Sequence, residues 1–354
     1  MSLLRLPPET LKQIFDHIGS SFFRQDLGRL TICKEWFEFA GPALFKCTTL
    51  SQETLRRLIY SSVTKTPSPL KDSLETLDLE LGGYQAFIST LRRQQNPQES
   101  IALNAPAPNE ALRHNPVEIW IKVLDNDLTQ LATIAQKSRR LRILRIRAWN
   151  SPSPDPLDRP QDYLSVPTMQ ALLSMENLSV LALDLSVGFL DSSGENGSHI
   201  CPAIGVLLRT LRTLHLRMHS ICPDVLKPPH PDDSLRLSVA AINLSLTTDL
   251  PGITSAAHSS RCGSAGGGLL QLKADMMEAA EALAERMTSP KTLRILTHSL
   301  PSFEIQSLDV LTGKTMILDD DMAWGEDGKT VEEDSEPESE LLDDDFGGFL
   351  DDDE

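Results

Sequence analysis

Short segments in which leucine alternates with other residues recur along the middle of the chain. An apolar residue at every second position predicts a strand with one buried face. Apolar residues at helical spacing precede several of these segments, at 128–137, 167–175, 200–208 and 270–287. The leucine segments themselves are residues 74–81, 141–148, 178–185, 211–218, 241–246 and 293–296. The pattern predicts a helix that leads into a short strand several times along the chain.

This repeated unit resembles that of leucine-rich-repeat solenoids. The spacing is irregular: Leu144 and Leu181 are 37 residues apart and Leu181 and Leu214 are 33 apart, whereas such repeats usually take about 20–29 residues. The asparagine that normally follows the strand is also missing, because Asn150 comes one position too late. We expect residues 51–318 to form an irregular leucine-rich-repeat-like β-α solenoid with long loops. An ordinary α/β domain is the alternative, since any half-buried strand shows Leu-x-Leu.

The first fifty residues follow the helical period instead. Apolar residues from Leu11 onward recur every three or four positions and predict a first helix that ends at Gly19. Asp26 suits the N-cap of a second, short helix, and a third is predicted over 34–40, before Gly41 and Pro42. Three helices of this size bury little surface by themselves, so we expect the unit to need a partner.

The same stretch carries an ordered series of motifs. Leu6-Pro7-Pro8-Glu9 opens the first helix, Asp26-Leu27 opens the second, and Cys33-Lys34-Glu35-Trp36 opens the third. In this order and spacing they resemble the F-box, here residues 1–50. The resemblance implies a module that docks on the Skp-type adaptor of an SCF-type cullin-RING ubiquitin ligase, while the rest of the chain captures the protein to be ubiquitinated. The residues it implies at the adaptor contact are Leu6, Pro7, Leu11, Ile14, Leu30, Cys33 and Trp36.

The repeat pattern also indicates where a substrate would bind. In a leucine-rich unit the side chains between the paired leucines project on the face that is open to partners. Arg145, Arg147, His215 and Arg217 occupy such positions, and the arginines suit an acidic or phosphorylated segment. A solvated charged strand is the alternative interpretation.

Negative charge is concentrated at the C-terminal end. Residues 319–354 contain 18 of the 50 acidic residues and only Lys329 of the 33 basic ones. The rest of the chain is balanced, so the net charge of −17 describes this segment rather than the body. A neutral body disfavours nucleic acid as a partner, because neutralising phosphates needs a basic surplus. The composition of 319–354 predicts a disordered acidic tail.

No motif indicates a reaction, and we expect a non-catalytic protein with no cofactor and no metal. The five cysteines contain no Cys-x-x-Cys pair, which disfavours a disulfide framework or a zinc knuckle. His215, His219 and Cys222 are spaced like zinc ligands, but a four-residue step along a strand spans about 13 Å and cannot close on one ion.

Membrane and secretory signals are missing from the sequence as well. No apolar run reaches the length of about 18 residues that a membrane span requires, and Pro7, Pro8 and Glu9 interrupt the place of a signal-peptide core. We expect a cytoplasmic or nuclear protein with no membrane partner.

Together these features predict a chain of the α+β or α/β class that serves as an SCF substrate receptor, with the Skp-type adaptor and the cullin scaffold as partners. An F-box scaffold that acts outside ubiquitin transfer, with its acidic tail binding basic proteins, is one alternative. An unrecognised enzyme in residues 70–318 is the other.

Overall fold

The computed structural model describes residues 5–60, 69–94, 115–150, 161–190, 199–230, 234–246, 258–263, 268–298, 304–319 and 322–330. Its α-helices are α1 Pro8–Gln25, α2 Lys34–Lys46, α3 Gln52–Tyr60, α4 Pro69–Ser73, α5 Gly83–Gln94, α6 Pro116–Gln136, α7 Val166–Leu173, α8 Cys201–Leu207 and α9 Leu269–Ala284. Its strands are β1 Cys47–Ser51, β2 Thr76–Leu81, β3 Ile143–Ala148, β4 Leu164–Ser165, β5 Val180–Leu185, β6 Phe189–Leu190, β7 Thr213–Met218, β8 Ser220–Ile221, β9 Val239–Asn243, β10 Ser260–Arg261, β11 Thr292–His298, β12 Ile305–Asp309, β13 Thr315–Leu318 and β14 Lys329–Thr330.

One ten-stranded sheet organises the fold. Its strands lie in the order β1-β2-β3-β5-β7-β9-β11-β12-β13-β14. The pairs from β1 to β11 are parallel, and the last three strands add in antiparallel fashion. Each of the six predicted leucine segments contributes a strand to this sheet, so that part of the prediction is confirmed. Within the described residues the chain has a mixed α/β fold with a large, mostly parallel sheet that does not close into a barrel.

The period-two leucines give the sheet two different faces. In β5, Leu181, Leu183 and Leu185 are fully buried, whereas Ala182 and Asp184 between them are only half-buried. The buried leucines of neighbouring strands form one core with apolar residues of the helices. Each such leucine contributes about 2 kcal/mol by leaving water. We call the opposite surface, formed by the residues between the leucines of β2, β3, β5, β7 and β9, the polar face.

The N-terminal helices agree with the sequence except at one boundary. Gly19 takes a φ of 79° and breaks α1 where the break was predicted. The Asp26 side chain caps a 3-10 helix at Leu27–Leu30 by accepting from the Gly28 amide at 2.8 Å. The prediction that Gly41 and Pro42 end the third helix is wrong, because α2 continues to Lys46. Burial of Ala40 and Ala43 in a small separate core offsets the loss of the backbone N–H that Pro42 lacks.

The acidic segment is not wholly outside the fold. Lys329 and Thr330 form β14 and pair with Ile317 and Met316 of β13. This differs from the expectation that the chain is disordered from residue 319 onward, since 322–330 lies against the sheet. The physical reason is local: Met322 and Trp324 are apolar residues that a charge count over the whole tail overlooks. Residues 331–354 lie outside the described residues.

Candidate functional sites

Apolar side chains crowd the surface of the N-terminal module. Among the described residues ten large hydrophobic side chains are exposed, and six of them lie between positions 6 and 37. Exposed apolar side chains concentrated in one small module favour an interaction surface there. The six are Leu6, Ile18, Phe22, Leu27, Ile32 and Phe37.

The residues predicted at the adaptor contact divide into two groups. Leu6, Pro7 and Cys33 are exposed and Ile14 is half-buried. Leu11 and Leu30 are only 1% and 5% exposed and belong to the module's own core, so the structure does not place them on a surface open to a partner.

Trp36 has a structural role within the module. Its indole N–H donates to the Arg29 carbonyl at 2.6 Å, and its ring meets that of Phe15 edge-on with centroids 4.7 Å apart. The Cys33 sulfur accepts from the Trp36 amide at 3.4 Å and caps α2. These contacts give the Cys33–Trp36 segment a role inside the module: the cysteine caps the start of α2 and the tryptophan ties the helix to the preceding turn.

The polar face carries charged residues in two rows across the sheet. The strand register aligns Asp78, Arg145, Ala182 and His215 in one row. It aligns Glu80, Arg147, Asp184 and Arg217 in the next. All four residues predicted to bind substrate therefore lie on one surface. Sequence spacing alone could not show this, because the rows depend on which strands pair.

Ion pairs within the rows neutralise part of this charge. Arg217 binds Asp184 through two bonds of 2.6 and 2.8 Å, and Arg147 approaches the same carboxylate at 3.5 Å. Arg145 binds Asp78 at 3.1 Å. The Arg145 and Arg147 side chains remain 50% and 62% exposed, whereas that of Arg217 is 15% exposed. The first two can reach a partner, and Arg217 serves mainly as a bidentate clamp inside the sheet surface.

Trp324 covers one part of the polar face. Its ring lies 5.1 Å from the Arg217 guanidinium carbon and 6.3 Å from the His215 ring, measured to ring centroids. Burial, aided by the positive charge of Arg145, lowers the pKa of His215 and favours the neutral imidazole. His215 and Arg217 are thus occupied by the chain's own C-terminal segment. The open part of the face is formed by Arg145, Arg147 and Trp149, over which the Arg147 guanidinium lies at 5.2 Å.

The sequence pattern did not predict a third candidate site, which is a cluster of cysteine and histidine side chains. His199, Cys201, Cys222 and Cys262 bring one nitrogen and three sulfur atoms within 4.8 Å of one another. The expectation of no metal rested on the missing Cys-x-x-Cys pair and on the trio His215, His219 and Cys222, of which the cluster contains only Cys222. No spacing rule could find the group, since its members come from three separate segments.

Comparison of the chain with protein-family models, with curated proteins and with solved structures gave no match. The F-box resemblance therefore stays a prediction that depends on the residues quoted above. Among the described residues, none of the helices combines the length and the apolar character needed to cross a bilayer.

Proposed function

We propose that this chain is a substrate receptor of an SCF-type ubiquitin ligase, resident in the cytoplasm or nucleus. The observation that carries the proposal is the concentration of exposed apolar side chains in the module whose motifs resemble the F-box. Leu27 and Ile32 are 61% and 63% exposed, too exposed to stabilise the module itself. Rigid apolar anchors are the residues that dominate interface energy, which suits docking on a Skp-type adaptor.

The junction between the module and the sheet supports a receptor. Helix α2 ends at Lys46 and β1 begins at Cys47, so no linker separates them. The Lys46 ammonium lies 3.8 Å from the Asp16 carboxylate and 3.4 Å from that of Glu75. The backbone carbonyl of Lys46 accepts a hydrogen bond from the Glu75 amide at 2.8 Å. A receptor must hold its client at a fixed position relative to the ligase. A junction without a flexible linker keeps the sheet at a fixed orientation relative to the N-terminal module.

The client in this proposal is an acidic or phosphorylated segment bound on the open part of the polar face. Arg145 and Arg147 project there beside Trp149. Guanidinium groups pair with carboxylate or phosphate through parallel hydrogen bonds, and the half-buried indole of Trp149 adds apolar contact. Because Asp78 and Asp184 already share these arginines, a dianionic phosphate suits the site better than a single carboxylate.

The adaptor contact is tested with a surface variant that leaves the core untouched. Leu27→Asp with Ile32→Asp should abolish co-purification of the Skp-type adaptor, because each lost anchor commonly costs about 2 kcal/mol or more. Ile119→Asp is the matched control, since Ile119 is an apolar residue that is 51% exposed but lies in the body. Undiminished adaptor binding by the double variant would contradict the proposal. Recovery of the adaptor without a cullin would favour the scaffold alternative.

The client surface has its own matched pair of variants. Arg145→Glu with Arg147→Glu should remove clients from proximity labelling while adaptor binding persists. Arg139→Glu with Arg140→Glu makes the same charge change at exposed positions before β3, off the polar face, and should leave the client set unchanged. An identical client set for both pairs would show that Arg145 and Arg147 are solvated surface charges.

A further inference from the structure

The Cys/His cluster has the size of a metal coordination shell. The Cys201 and Cys262 sulfurs are 3.6 Å apart, and the Cys222 sulfur lies 3.9 Å from Nδ1 of His199. A tetrahedron with zinc–sulfur bonds of about 2.3 Å places its sulfurs about 3.8 Å apart. The observed separations therefore leave room for one ion at the centre, and they are too long for a disulfide bond, which needs about 2.05 Å.

Strand pairing positions two of the ligands. β8 and β10 run parallel, with Ser220 opposite Ser260 and Ile221 opposite Arg261. Cys222 and Cys262 directly follow these pairs, and the Cys262 amide donates to the Ile221 carbonyl at 3.3 Å. The two thiols thus leave the ends of adjacent strands at the same level.

The other two ligands come from the start of α8. His199 and Cys201 flank Ile200, which is buried in the main core. Gly205 of the same helix lies so close to the following 3-10 helix, Pro223–Leu226, that a Cβ atom there would be 2.5 Å from the Lys227 carbonyl oxygen. This close packing holds α8 against the residues that follow Cys222, and it brings the four ligands together.

The surroundings match a closed structural site rather than a catalytic one. Cys201 and Cys222 are buried, and His199 and Cys262 are half-buried. The donor set is three thiols and one imidazole with no carboxylate, which suits zinc and disfavours calcium or magnesium, because those ions prefer oxygen ligands. The Asp224 amide also donates to the Cys222 sulfur, a contact that stabilises thiolate ligands.

We propose that His199, Cys201, Cys222 and Cys262 bind one structural zinc ion. The ion would join the end of β8, the end of β10 and the start of α8, three segments that are distant in the chain. Its role is to fasten the short β8–β10 ladder, which follows the end of β7, to the start of α8. Four protein ligands leave no open position, so no reaction at the metal is implied.

The first test measures metal in the full chain, purified under reducing conditions without chelators and then equilibrated with zinc. Elemental analysis should give roughly one zinc per chain, as a four-ligand site predicts. Cobalt substituted for zinc should show the ligand-field bands of a tetrahedral thiolate complex. Absence of stoichiometric zinc after this equilibration would overturn the proposal. So would recovery of Cys201 and Cys262 as a disulfide from the reduced preparation, detected as a mass lower by two hydrogens.

The second test assigns the ligands. Cys222→Ser should bind zinc at least about tenfold more weakly, since even an outer hydrogen-bond partner of a metal ligand commonly contributes that much. Cys47→Ser is the control, because Cys47 is a partly buried cysteine outside the cluster. Unchanged zinc affinity in Cys222→Ser, or an equal loss in Cys47→Ser, would contradict the assignment. If Cys222→Ser does not fold, His199→Gln keeps the three thiols and should shift the cobalt spectrum instead; an unchanged spectrum would contradict the assignment.

Discussion

The docking of residues 322–330 on the sheet depends on a single glycine. A Cβ atom at Gly328 would lie 2.0 Å from the carbonyl oxygen of Ile317 and 2.8 Å from its carbonyl carbon. Both atoms belong to the β13 backbone, so no side-chain rotation relieves the overlap. Gly328→Ala must therefore move β14 away from β13.

The effect of Gly328→Ala depends on how strongly residues 322–330 are held against the sheet. β14 is two residues long, and each backbone hydrogen bond contributes about 1 kcal/mol net. Trp324 packs on Leu296 and Leu318, and buried Arg294 binds the Asp327 carboxylate and the Glu326 carbonyl. Overpacking typically costs about 1–3 kcal/mol, which is comparable to these gains once the entropy of holding nine residues is subtracted. We expect the substitution to release most of the segment while the large sheet stays folded.

Hydrogen exchange with peptide-level mass spectrometry measures this directly. In Gly328→Ala the amides of 315–318 and 322–330 should exchange faster, and those of β5 and β7 should not change. Gly325→Ala is the matched control, because a Cβ there meets only Nε2 of His215 at an ordinary 3.9 Å. Equal protection in Gly328→Ala and wild type would refute the reasoning. Release should also expose Arg217 and His215, which enlarges the client surface of the proposed receptor.

Three further changes test the packing. Asp127 is 2% exposed, and burial raises the pKa of its carboxyl group, an effect that the positive charge of Arg56 opposes. Because the folded protein disfavours the ionised carboxylate, its stability falls as pH rises above the ordinary pKa of 3.8. Asp127→Asn should therefore raise the unfolding temperature at pH 7 by roughly 2 °C, with the gain vanishing below pH 3.8 in a calorimetric pH series. Asp184→Ala should lower the free energy of unfolding by about 1–2 kcal/mol in denaturant titrations, because the Arg217 guanidinium, only 15% exposed, loses its acceptor. Gly205→Ala should weaken zinc binding in a chelator competition, since its Cβ displaces the Lys227 carbonyl.

The sequence determined the elements that depend on neighbouring residues. Leucine at every second position in 181–185 is enough to define a strand and its buried face, because side chains alternate along any strand. Asp26 and Cys33 cap their helices through bonds to amides two and three residues away. The break at Gly19 is of the same kind, since only glycine adopts a φ of 79° without strain.

Tertiary structure alone decided the features that join distant residues. The period of α1 includes both Leu11 and Ile14, but only the packing of the module shows that Leu11 is core and Ile14 is partly accessible. The pairing of β5 with β7 places Asp184 within hydrogen-bond distance of Arg217, and the ring of Trp324, from the acidic segment, packs against the Arg217 guanidinium. The four zinc ligands meet because β8 and β10 are adjacent and α8 packs beside them. Such contacts depend on which segments become neighbours in three dimensions, a relation that spacing along the chain does not encode.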